Sequence, residues 1–344
     1  MIRFNCDYGE GAHPRILARL QETNFVQTPG YGEDEYCREA AQIIRGLCKS
    51  DDIDVHFLMG GTQANLTVLA AALRPWEGVI SADTGHIAVH ETGSIEACGH
   101  KVLCLPHENG KLRAADVARL CKAHYDDASF EHMVKPAAVY VSSPSELGTV
   151  YSREELLALR AVCDEYGLLL FLDGARLGYG LAAPGNDLSL PFLASTTDVF
   201  YIGGTKQGAL FGEAVVIRNA ALKRDFRYEI KQRGGMLAKG RLLGLQFAEL
   251  LRDGLYFDLS RHAVQLAMAI KAALTEAGYA FLIDSPTNQQ FPIFADEQLS
   301  RLAQSYAFSY QCRVDEKRSA VRICTSWATR EEDVERLISD IRRG

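Results

Sequence analysis

Lys206 stands in DVFYIGGTKQGALFGEAVVI, just past an apolar run that predicts a buried strand. A second apolar run, LLLFL, ends in Asp173, with Arg176 three residues further on. A lysine amine condenses with an aldehyde, and a carboxylate can pair with a protonated ring nitrogen. A lysine and an aspartate, each at the mouth of a parallel-sheet strand, are what pyridoxal 5′-phosphate (PLP) chemistry requires. The lysine forms the Schiff base, and the aspartate keeps the pyridinium protonated so that the ring can act as an electron sink.

The flanks of Lys206 strengthen this expectation. Gly203 and Gly204 allow close backbone approach, and Thr205 supplies a neighbouring hydroxyl. GGTKQG has a superficial likeness to a phosphate-binding P-loop. That motif needs G-K-[ST] and a following helix, whereas here the lysine follows the threonine and AVVI predicts a strand. Asp173, if buried, needs a cationic partner. Arg176 is either an ion-pair partner or a binder of a substrate carboxylate, a task that suits its planar fork.

MGGTQAN follows the apolar run VHFLM and opens a helical pattern. The N–H groups of Gly61, Thr62 and Gln63 would then lie at a helix N-terminus, a ready phosphate site. His86 follows the next strand pattern, GVISA, and should reach the same sheet edge, where an imidazole could stack on a pyridine ring and move protons. His90, one helical turn on, would share its face. Arg322 alternates with Val321 and Ile323 in AVRICTSW. It is either a solvated strand arginine or a cleft residue that clamps an α-carboxylate.

Several elements must position these residues. From about residue 50 to 217, strand patterns (VHFLM, GVISA, KVLCL, AAVYVSS, LLLFL, DVFYIGG, AVVIR) alternate with helical ones such as TQANLTVLAAAL, RAADVARLCKAHY and REELLALRAVCDEYG. Such alternation predicts a mostly parallel sheet covered on both faces. Ser152 and Glu155 form a capping-box spacing, and Gly167 is a helix stop. Residues 239–277 read as nearly continuous helix, broken near Asp253-Gly254. Short strands (YAFLI, NQQFPIF, AFSYQ, AVRICTS) follow, then a helix in TREEDVERLISDIRRG with a second capping box at Thr329 and Glu332. The expected organisation is an N-terminal segment over 1–25 packing with the small domain, a large cofactor-binding domain over 26–238, and a small α+β domain over 239–344.

At 344 residues, with 47% hydrophobic and 24% charged residues, the composition is that of an ordinary soluble chain. Its 37 basic and 44 acidic side chains give a net charge of −7, which argues against nucleic acid or an anionic membrane as the main partner. A small anionic substrate remains compatible through a local arginine cluster. The nine scattered cysteines lack zinc spacing and are expected to be reduced, mostly core thiols; no metal is expected. MIRFNCDYGEGAHP lacks the apolar core of a signal peptide, and no run reaches the roughly 20 apolar residues of a membrane span. A reduced cytoplasm is the expected compartment.

Taken together, these motifs resemble the threonine aldolase/β-eliminating lyase family of fold-type-I PLP enzymes. HPRIL, GYGEDEYC, GGTQAN, the His86 segment, SELGTVYS, LDGARL, IGGTKQGALFGEAVV, RGGMLAKG and VRICTSW follow in the family's order over nearly the whole chain. LDGAR and GGTK at this separation are the most specific. The resemblance implies a PLP-dependent transferase-like α/β fold with a mostly parallel, seven-stranded sheet and a smaller C-terminal α+β domain. It implies Lys206 as the Schiff-base lysine, Asp173 as the pyridinium partner, His86 on the ring, and Gly61 with Thr62 on the phosphate. Arg176 and Arg322 would bind the amino-acid carboxylate. The family's small polar residue that also touches it falls at Cys6, and Gly9 stands where serine is commoner. The resemblance further implies a homotetramer, a dimer of dimers whose sites borrow residues across an interface, with Tyr31, Lys231 and Arg233 as candidates for that loan.

The implied activity is cleavage of β-hydroxy-α-amino acids, with L-threonine or L-allo-threonine giving glycine and an aldehyde. A β-eliminating lyase or racemase on the same scaffold, and a non-catalytic PLP-binding protein, are the rivals. A nicotinamide dehydrogenase would need GxGxxG after an early strand, and none is present.

Overall fold

The computed structural model describes residues 1–343. Thirteen strands occur in chain order: β1 (Ile2–Arg3), β2 (Asp54–Leu58), β3 (Glu77–Ala82), β4 (Lys101–Leu105), β5 (Lys135–Ser142), β6 (Leu169–Asp173), β7 (Val199–Gly203), β8 (Glu213–Ile217), β9 (Gln289–Gln290), β10 (Ile293–Ala295), β11 (Tyr306–Ala307), β12 (Ser309–Arg313) and β13 (Arg318–Cys324).

The main sheet has seven strands in the order β2-β8-β7-β6-β5-β3-β4. The neighbours from β7 to β4 are parallel, while β8 runs antiparallel to both β7 and β2. Every residue of β3, β7 and β8 is buried, as expected of strands with helices on both faces. The period-2 alternation sorts side chains between two cores. Val139, Val141, Leu170, Leu172, Phe200 and Ile202 join one cluster. Ala138, Tyr140, Phe171, Val199 and Tyr201 join the other. The parallel strands end together, so residues at their C-terminal ends meet along one sheet edge. Ser142 at the end of β5 lies level with Asp173 at the end of β6.

Two glycines permit the tight packing beyond that edge. A Cβ on Gly174 would fall 1.8 Å from the Tyr201 carbonyl oxygen, and one on Gly203 would fall 2.4 Å from that of Ala175. The turn after Asp173 therefore nests against the end of β7, which leads directly to Lys206.

A second, smaller sheet has the order β10-β13-β12, with β9 also on β13. Its core includes Phe294, Val321 and Ile323 with Ile270, Leu274, Val334, Leu337 and Ile341 from two helices, Leu255–Glu276 and Glu331–Arg342. The N-terminus joins this core: β1 pairs with β11, and Phe4 is buried within it.

The helix breaks at Asp253 and Gly254, both with positive φ. The Ser152–Glu155 capping box forms, and Gly167 closes that helix at φ 67°. Two local expectations fail, and one helix was not foreseen. Thr329 is not an N-cap: its hydroxyl accepts from the Ser326 N–H at 2.8 Å, and Arg330 occupies the cap position without a side-chain bond. YAFLI contributes one bridge, Phe281 with Pro292, rather than a strand. Asp296–Leu302, unassigned by pattern, forms a short helix whose Asp296 and Glu297 suit the positive end of its dipole.

Candidate active site

A cavity of about 260 Å³ opens at the C-terminal edge of the main sheet. Lys206, Asp173, His86, Arg176, Thr205, Gly61 and Thr62, all singled out from the sequence, line it together. Open α/β sheets bind ligands at this end of their strands.

Asp173 reaches the cavity from the end of β6. Its Oδ2 accepts from Tyr140 Oη at 2.5 Å and Asn65 Nδ2 at 3.1 Å, and Oδ1 accepts from the Ala175 N–H at 2.9 Å. Lys206 is held in place through its backbone, because the Tyr179 hydroxyl donates to its carbonyl. Burial, reinforced by the Arg176 cation, takes the Lys206 amine below the ordinary lysine pKa, against the opposing pull of Asp7, Glu213 and Asp173. A lowered pKa leaves more of the amine free as a nucleophile. Glu213 shares this pocket. Burial lifts its carboxyl to about 8, against the effects of Lys206 and the Thr205 hydrogen bond. Its Oε1 accepts from Thr205 Oγ1 at 3.0 Å, and its enclosed Oε2 has no partner.

The helix Gly61–Ala72 begins at the cavity with Gly60 as N-cap and no side-chain cap. Its first N–H groups lack intrahelical acceptors and suit an anion. The Gln63 side chain accepts from the Met59 N–H and donates to the Arg233 carbonyl, and Gln63 does not line the cavity.

His86 opens a one-turn helix, His86–Val89. Its Nδ1 is 2.7 Å from Glu91 Oε1, and its backbone N–H donates to Glu146 Oε1 at 2.9 Å. Burial opposes a charged ring, yet the Glu91 hydrogen bond and the charges of Asp173, Glu91 and Glu146 raise the His86 pKa above the usual imidazole value. Glu91, its side chain fully buried, also accepts from Asn65 at 2.7 Å and Ser94 at 2.8 Å. Asn65 thus links the His86–Glu91 pair to Asp173. His90 packs near His86, with ring centroids 5.6 Å apart, but does not line the cavity.

The two arginines differ. Arg176 makes a two-point fork with Asp7, Nε to Oδ2 at 2.7 Å and Nη2 to Oδ1 at 3.0 Å. Arg322 does not line the cavity. Its Nη2 donates to the Asn5 carbonyl at 3.1 Å, beside Cys6, and its buried Nε has no partner. Burial, His86 and Arg322 together lower the His90 pKa. Cys6 is half-buried, with its Sγ 3.8 Å from where a Gly9 Cβ would stand. Tyr31, Lys231 and Arg233 lie away from the cavity: Lys231 stacks over the Tyr31 ring at 4.8 Å, and Arg233 pairs with Glu229.

Glu91, Glu146, Glu213 and Asp7 were not among the sequence candidates. Glu213 had one detectable signal, an acid opening a strand that is otherwise wholly apolar.

The fold and site define an α/β enzyme of the fold-type-I PLP class. The β-eliminating lyase family model matches residues 16–297, and the chain belongs to that family. A low specificity L-threonine aldolase from a Pseudomonas species is 30% identical over 343 residues, covering 99% of this chain and 97% of that protein. The Leishmania major threonine aldolase structure superposes with a TM-score of 0.97 at 45% identity, covering 100% of this chain and 99% of that one. A Thermus thermophilus aspartate aminotransferase, at 18% identity and TM-score 0.72 over 100% of this chain and 91% of that one, shares the fold.

The cofactor is pyridoxal phosphate, and the residues present fit it. An amine of lowered pKa, a buried carboxylate at a strand end and an uncapped helix N-terminus share one cavity. Lys206 would attach it, Asp173 would face its ring nitrogen, and Gly61 and Thr62 would receive its phosphate.

Proposed function

We propose that this chain is a PLP-dependent aldolase that cleaves the Cα–Cβ bond of β-hydroxy-α-amino acids. L-Threonine or L-allo-threonine would yield glycine and acetaldehyde. The observation that carries this is the convergence of Lys206, Asp173, the free helix N-terminus at Gly61 and the Glu91-held His86 around one cavity. Bound there, pyridoxal phosphate supplies the sink for the electron pair of the broken bond.

The protein's own groups do the rest. Lys206 would hold the cofactor through its amine, whose pKa burial lowers. Asp173, fixed by Tyr140 and Asn65, keeps the ring-nitrogen proton in place. His86, fixed by Glu91, stacks and holds a proton close to the reacting atoms. Thr205 and the Gly61–Gln63 amides complete the cofactor contacts. Arg322 and Cys6 form the carboxylate side of the substrate site, while Arg176 lines the cavity with its fork already on Asp7. Fixed donors aimed at developing charge, and alignment of the scissile bond, are the main sources of acceleration.

The working form we propose is a cytoplasmic homotetramer in which Tyr31, Lys231 and Arg233 of one protomer serve a neighbour's site. The exposure of Tyr31 and Lys231, and the position of all three away from their own cavity, support this. The domain limits proposed are 1–25, 26–238 and 239–344; Phe4 shares the core of the second sheet, whereas Ala12, Ile16, Phe247 and Leu250 join the core of the main sheet. No helix among the described residues is long and apolar enough to cross a membrane.

Incubation of the PLP-loaded protein with L-threonine, followed by assay for glycine and acetaldehyde, tests the activity. Release of pyruvate from L-serine instead would assign it to β-elimination.

A further inference from the structure

The loop after β5 carries a carboxyl group into the cavity that none of the assignments above uses. Glu146 is half-buried and lines the cavity beside His86, Ser142, Asp173 and Lys206. Its Oε1 is fixed by two donors, Ser142 Oγ at 2.6 Å and the His86 backbone N–H at 2.9 Å. Its Oε2 accepts no hydrogen bond from another residue and is not among the enclosed, unpartnered polar atoms, and the residue lines the cavity.

The neighbouring carboxylates are committed. Asp173 accepts from Ala175, Tyr140 and Asn65. Asp7 accepts from Arg176 and Asn288. Glu91 accepts at both oxygens, from His86 and Asn65 on one and Ser94 on the other. Glu213 has one oxygen on Thr205, and the other is enclosed. His86 has its Nδ1 engaged by Glu91 at 2.7 Å.

We propose that Glu146 is a catalytic base for the substrate's β-hydroxyl, with Oε2 as the accepting atom. The assignment rests on the aldolase activity proposed above. The hydroxyl proton passes to Oε2, the C–O bond becomes the aldehyde C=O, and the Cα–Cβ pair stays on Cα. One proton then reaches Cα from solvent to give glycine, and Oε2 releases its own proton to solvent, so the proton taken and the proton delivered balance.

The electrostatics suit the task. Burial is the largest influence on Glu146 and raises its pKa. The Asp173 charge adds to this, while the Ser142 hydroxyl and the backbone N–H groups, including that of His86, oppose it. The titratable groups facing it are His86 and Glu91 from the His86 segment, Tyr140 from β5, Asp173 from β6 and Tyr151 beyond its own loop; Lys206 lines the same cavity. A carboxylate of raised pKa is a stronger base at neutral pH.

Glu146→Gln tests this in the PLP-loaded enzyme. Cleavage of L-threonine should fall about 100-fold or more, the usual contribution of a general base. Exchange of the glycine Cα–H with deuterated water, followed by NMR, needs no β-hydroxyl and should continue at the wild-type rate. The acidic limb of the kcat/KM profile should disappear, and Glu146→Asp should recover part of the loss. In the cofactor-free protein, infrared difference spectra should lose one carboxyl band that titrates above the usual glutamate range. Near-normal threonine cleavage by Glu146→Gln, or a parallel loss of glycine exchange, would overturn the assignment. If the wild-type protein itself releases no acetaldehyde from L-threonine, the aldolase activity fails, and this assignment fails with it.

Discussion

Arg176 and Arg322 stand in contrasting electrostatic states. Arg176, beside the main sheet, is half-buried and forked on Asp7, and Asn288 adds a third hydrogen bond to the same carboxylate. Arg322, on β13 of the small sheet, holds one backbone carbonyl and keeps an unpartnered Nε. A guanidinium already matched by a carboxylate has little net charge to offer a substrate. One held by a neutral carbonyl keeps its charge. Arg176 thus ties the N-terminal segment to the mouth of the main sheet, and Arg322 is the stronger candidate for recruiting a free carboxylate.

The largest expected effect comes from breaking the tie. Arg176→Leu strands Asp7, which is fully buried, and should cost about 3–5 kcal/mol in stability, read by denaturant unfolding. Pairing it with Asp7→Leu should restore much of that loss. The pair also sets an acid limit. Burial would raise the Asp7 pKa, but Arg176, Lys206 and Asn288 outweigh it and hold the carboxyl at about 2, below its ordinary 3.8. That stability is present above pH 3.8 and is lost as pH falls toward 2; it amounts to about 2 kcal/mol. Unfolding followed between neutral pH and pH 2 should show this loss in the wild type and not in the double variant.

Arg322→Ala should leave Tm nearly unchanged and raise KM for L-threonine roughly 10- to 100-fold, the worth of about 1.5–3 kcal/mol for a charge-assisted hydrogen bond. An equal rise in KM for Arg176→Lys and Arg322→Lys, with Tm unmoved in both, would erase the contrast between the two arginines.

Smaller effects should follow at the His86–Glu91 pair. The raised His86 pKa means that protonated His86 stabilises the fold fully below the ordinary imidazole pKa, and that this contribution fades as pH rises through the raised value. Glu91→Gln should lower the His86 pKa, seen by NMR titration of the ring, and slow turnover by about tenfold. Cys6→Ser should have the least effect, a mild shift in KM, since thiol and hydroxyl occupy similar space but differ in hydrogen-bond strength.

The same contrast marks what was legible in the sequence. Lys206 and Asp173 each follow a run of buried strand residues, so local pattern places both at one sheet edge. The Gly-Gly turn before a helix and the Ser152 capping box are equally local. Asp7 and Arg176 are 169 residues apart, and only the paired strand ends and the N-terminal strand bring them together. Arg176 was therefore legible as a cation but not as one already neutralised. Glu91 and Glu146 sit in irregular segments without periodicity, where an acidic residue reads as ordinary loop. Thr329 shows the converse: its capping-box spacing was correct, yet a competing turn at Ser326 claimed the hydroxyl.

The account depends most on Lys206 being the amine that holds the cofactor. Sodium borohydride reduction of the PLP-loaded protein, then proteolysis and mass spectrometry, reads this directly. The pyridoxyl group should appear on the peptide containing Lys206, and Lys206→Ala should abolish both the label and the visible chromophore. A label on another lysine, or an intact chromophore in Lys206→Ala, would contradict it.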